Sequence, residues 1–81
     1  MTITNKNGMN IQISLVDLIV LNAGDPRSIK SSVLLDMLLA DKLDSQFDWS
    51  DRLATLDRDE LVSAVVTWQS RLKSGLDLFF K

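Results

Sequence analysis

Apolar positions along this chain change their spacing several times, and each change marks a new element. In residues 2–13, TITNKNGMNIQI, Ile11 and Ile13 alternate with Asn10 and Gln12, while Ile3 stands ready to face them. Alternation predicts a half-buried strand, and Asn7-Gly8 is the preferred pair for a tight turn in which both residues take positive φ. A β-hairpin over residues 2–13 follows; the competing reading is a disordered start with helix from about residue 10. Two strands alone are marginal in water, so the hairpin must lean on a helix or pair at an edge.

From Ser14 the spacing becomes helical. Ser14-Leu15-Val16-Asp17 has the form of an N-cap with an acid in the first turn, and Ala23-Gly24 supplies the stop, which places a helix at 15–22. Leu15, Val16, Leu18, Ile19, Val20 and Leu21 make it apolar on most sides. Asp25-Pro26 then opens a second helix, with Asp as cap and Pro in the first helical position. Its apolar residues carry it to 43. Nine of the fifteen residues from 29 to 43 (IKSSVLLDMLLADKL) are apolar, and they form three stripes. A helix apolar nearly all round has neighbours nearly all round. This one is therefore placed at the centre of the fold, with Leu34, Leu35, Leu38 and Leu39 against a second copy of the chain.

Residues 44–51 (DSQFDWSD) read as a loop carrying Phe47 and Trp49, followed by a short turn at about 50–56. Asp57, Asp59 and Glu60 suit the positive end of a last helix. Its seam of Leu61, Val65, Trp68, Leu72, Leu76 and Phe79 leaves Ser63, Thr67, Ser70, Lys73 and Asp77 to water. That helix ends near 74, at Ser74-Gly75, or continues to 80. The expected architecture is one mainly α domain over residues 1–81: a small bundle of three main helices (about 15–22, 26–43, and 57–74 or to 80) behind an N-terminal β-hairpin.

Composition sharpens this picture. A chain of 81 residues buries only about 60% of the surface that its unfolded form exposes. It has neither Cys nor His, which removes disulfides and the usual zinc site as staples. Oligomerisation is the common remaining way to add buried area. The same absence removes Ser-His and Cys-His nucleophilic pairs. Ser70-Arg71-Leu72-Lys73 matches an S-x-x-K motif, but on the water-facing side of a helix. Asp44, Asp48 and Asp51 share a loop that lacks the spacing and glycine of a calcium site. A non-enzymatic protein without metal or cofactor is expected. No apolar run reaches the roughly 18 residues of a membrane span. Gln12 and Asp17 interrupt the stretch from Ile11 to Ala23, and Leu21 stands where a signal peptidase prefers a small residue. A cytoplasmic protein with no membrane partner is expected.

The net charge of −2 is unevenly divided: residues 36–60 carry eight acids and three bases, the rest six bases and three acids. An acidic middle disfavours a nucleic-acid partner, whose affinity comes from clustered Lys and Arg. The main functional reading is a self-associating protein–protein interaction module, an adaptor or small inhibitor that covers a surface on a partner. Phe47, Trp49, Val66 and Phe80 are its expected partner-binding residues, although loop aromatics also fold inward as plugs. Two alternatives use Arg27, Ser28 and Lys30 at the start of the second helix. One is a small anion or nucleotide site at a helix N-terminus, the other a helix-turn-helix DNA-binding regulator.

Overall fold

A computed structural model describes residues 1–43 and 45–80. Strands β1 (Thr2–Thr4) and β2 (Asn10–Gln12) form an antiparallel hairpin with Ile3 opposite Ile11. Helices follow at α1 (Leu15–Asn22), α2 (Ser31–Asp41), α3 (Ser50–Ala54) and α4 (Arg58–Phe79), with a 3-10 turn at Pro26–Ser28 between α1 and α2. The mainly α architecture with an N-terminal hairpin is the expected one.

The hairpin turn differs in detail from expectation. Gly8 alone takes positive φ, at 78°, and Asn7 does not. The Gly8 N–H donates to the Asn5 carbonyl and the Asn5 N–H to the Met9 carbonyl. This is a three-residue loop with glycine in the left-handed position, not the two-residue turn. Asn5 is the reason. Its Oδ1 accepts from the backbone N–H groups of Asn7 (3.0 Å) and Met9 (2.9 Å), holding the loop from inside. Its Nδ2 donates to the Phe79 carbonyl at 2.8 Å, tying the hairpin to the last turn of α4.

Helix α1 starts and stops as its sequence dictates. Ser14 Oγ accepts from the Asp17 N–H at 3.1 Å, and Gly24 beyond the helix end has φ 78°. The second helix is shorter than the expected 26–43. Pro26–Ser28 closes as a separate 3-10 turn, Ile29 and Lys30 are extended, and α2 begins only at Ser31. A continuous helix would give the Arg27 carbonyl to the Ser31 N–H. Here the Arg58 guanidinium takes that carbonyl at 2.6 Å and the Ser31 hydroxyl at 3.0 Å. A tertiary bond from α4 thus replaces a helical one. The far end stops at Asp41, short of the expected 43, leaving Leu43 exposed, and Asp44 lies outside the described residues.

Helix α4 is the scaffold on which α1, α2 and the 3-10 turn pack. Asp57 and Glu60 open it with a reciprocal capping box. It runs through Gly75 to Phe79, the longer of the two expected extents. Leu61 and Val65 on its seam meet Val20 of α1 and Leu34, Met37 and Leu38 of α2 in the central core. Trp68 and Leu72 pack at the edge of that cluster, and the Trp68 indole N–H donates to Asp17 at 3.2 Å. At the centre lies a polar residue. Gln69 is 8% exposed, and its Nε2 donates to the carbonyls of Val20 (3.0 Å) and Gly24 (2.9 Å). Those carbonyls belong to the end of α1, where helical partners run out.

The molecule is a thin plate, 44 × 29 × 15 Å. Its radius of gyration is 14.1 Å, against about 12 Å for a compact domain of this length. Its accessible surface is 5832 Å², where a compact protein of this mass exposes roughly 4,900 Å².

Two substitutions test this account. Gln69→Glu keeps size but removes both donors, so it should cost about 1–3 kcal/mol, read as a lower urea midpoint with an unchanged slope. A midpoint equal to the parent's would mean that the clamp contributes nothing. A Cβ at Gly75 meets nothing within 4 Å, so Gly75→Ala should stabilise the protein by about 0.5–1 kcal/mol.

Candidate interaction surfaces

The apolar surplus expected on the central helix appears elsewhere. Leu34 is fully buried and Leu38 is 8% exposed, both covered by the chain itself. Leu35 is half-buried against the same core, and Leu39 is half-buried beside the α2–α3 junction. Leu34 and Leu38 are therefore corrected from interface to core residues. The stripe that remains exposed lies on α1. Leu15 and Ile19 are 72% and 50% exposed, one turn apart, on the side facing away from buried Val20. Asn22, next on that stripe, folds its side chain back onto the Leu18 carbonyl at 2.8 Å. A solvent-facing helix stripe made of Leu and Ile is the reverse of the usual surface pattern.

Phe47 and Trp49 form a small cluster of their own. Their rings meet edge to face at 5.2 Å, and the Trp49 indole N–H donates to Ser45 Oγ at 3.0 Å. Cations cap both: Lys42 Nζ lies 5.1 Å from the Trp49 ring centre, and the Arg52 guanidinium 5.2 Å from that of Phe47. Such pairs contribute about 0.5–1 kcal/mol each at exposed sites. Phe47 is half exposed, and neither ring belongs to the central core. The start of α3 is fixed nearby by Asp48. Hydrogen bonds from the Ser50 hydroxyl, and then from the Ser50 N–H, hold its carboxyl below the ordinary aspartate value.

The other expected residues are dispersed. Val66 is 40% exposed on α4, near Arg27 and Arg58, whereas Phe80 is half exposed just past the helix end, edge-on to Phe79. Fourteen residues of helix separate the two, about 21 Å. The four expected partner-binding residues thus fall in three places. Arg27 and Ser28 sit in the 3-10 turn while Lys30 precedes α2, so the expected anion-binding trio spans two elements. Among the described residues, no group of three acids is placed to hold a metal ion, and no helix is long and apolar enough to cross a membrane.

A second surface, absent from the sequence-based expectation, is a groove between the end of α2, α3 and the first turns of α4, with a volume of about 890 Å³. Leu38, Leu53, Leu56, Ala64 and Trp68 line it, and Asp41, Asp57, Asp59 and Glu60 stand along it. The acid-rich run from 36 to 60 is its trace in the sequence, but the run alone does not reveal the apolar floor between the acids. Comparison with protein-family models, curated proteins and solved structures gave no match.

The placement of Phe47 and Trp49 outside the core has a measurable consequence. Phe47→Ala should lower stability by about 1 kcal/mol or less, against about 2–5 kcal/mol for Leu34→Ala. Equal losses in thermal or urea unfolding would make Phe47 a core plug after all.

Proposed function

We propose that this protein is a non-enzymatic interaction module that associates with itself and covers a surface on a partner protein, as an adaptor or small inhibitor does. The observation that carries this reading is the mismatch between mass and surface. The chain exposes roughly 900 Å² more than a compact protein of its size, and a standard interface takes about 800 Å² from each partner. The exposed Leu15 and Ile19 favour the outer stripe of α1 as the self-association surface in this reading. Two copies of that stripe packed together would supply the apolar cover that α1 lacks, without disturbing the core beneath. Phe47, with its half-exposed ring on a corner braced by Lys42 and Arg52, remains the best placed of the expected anchors for a partner protein.

Light scattering at high micromolar concentration should return a mass above the 9.1 kDa of one chain. Leu15→Glu with Ile19→Glu should return the monomer mass and leave the unfolding temperature of the diluted protein nearly unchanged, because both side chains are exposed. A strict monomer in the parent protein at that concentration would sink the self-association.

A further inference from the structure

We infer that the groove between α2, α3 and α4 is a docking site for a basic amphipathic helix of a partner protein. The inference rests on the interaction-module reading and names the chemistry of the partner. The floor is apolar, with Leu53, Leu56 and Trp68 half-buried along it. The rim holds four carboxylates and two cations, Lys42 and Arg71. Lys42 lies 3.6 Å from Asp41, so the acids on the α4 side, Asp57, Asp59 and Glu60, dominate the field. The capping box fixes two of them in place, with the Asp57 carboxylate accepting from the Glu60 N–H at 2.8 Å.

Three observations choose the occupant. The lining extends along α4 from Asp57 to Arg71, about 21 Å or four helical turns, which matches a helix laid lengthwise. The groove is open along its length, with the hydroxyls of Ser63 and Thr67 beside its apolar and charged residues, whereas a small-ligand site closes around most of its ligand. Its charge repels both phosphate backbones and a second copy of the same acidic face. What remains is a helix with two or three apolar anchors at i, i+3/i+4 and i+7 and with Lys or Arg on its flanks.

The test uses a designed amphipathic peptide of about five turns with a leucine stripe and lysine flanks, beside a peptide of the same stripe with glutamate flanks. The lysine peptide should bind, with affinity falling as salt rises, and should shift the Trp68 indole and Ala64 amide resonances. Asp41→Lys with Asp59→Lys, both exposed positions, should weaken it about tenfold or more, with an unchanged circular dichroism spectrum. Leu15→Glu with Ile19→Glu should bind it as the parent does, so loss of self-association and loss of the groove are told apart. The inference is overturned if the lysine peptide does not bind, or if the glutamate peptide binds equally. It is also overturned if the double-lysine variant binds unchanged, if the shifts map to α1, or if that variant loses self-association, which would make a second copy the occupant.

Discussion

One buried amide joins the two ends of the central packing, α4 and the close of α1. Gln69 projects from the middle of α4 and uses both of its N–H bonds on the carbonyls that end α1, from Val20 and Gly24. A helix of eight residues has little stability of its own, and α1 reaches the core mainly through Val20 and the half-buried residues beside it. The amide thereby ties the end of α1, and the segment that leads on to Pro26, to the middle of α4. Arg58 acts in the same way one element later, where it takes the Arg27 carbonyl and sets the start of α2. Helix α4 thus positions its neighbours by bonds to their backbone ends as much as by apolar contact.

These bonds explain which parts of the fold were legible in the sequence. Elements governed by local chemistry read directly: the Ser14 cap, the Gly24 stop, the Asp57–Glu60 box and the seam of Leu61, Val65, Trp68 and Leu72. Features set by distant partners did not. The guanidinium that meets the Arg27 carbonyl left free by the break lies thirty-one residues away, and nothing near residue 28 announces it. Asn5 looks like one more turn-former until its amide is seen on the Phe79 carbonyl. Gln69 interrupts no pattern and gives no local hint of burial.

The exposed apolar surfaces were legible only in kind. The all-round apolar pattern of the first two helices predicts exposed apolar positions, but their location depends on how helices cross. On a helical wheel Leu34 and Leu38 are as available as Leu15 and Ile19, yet packing buries the first pair and leaves the second outside. The groove required still more, since its floor is assembled from three helices and its rim from both sides of a loop.

The thinness of the plate, 15 Å, bears on how the molecule breathes. The hairpin and α3 contribute no buried residue to the central cluster, so either can open without dismantling it. Amide protons should accordingly exchange through separate local openings, slowest around Leu61 to Gln69, where three elements converge, and fastest in the hairpin and α3.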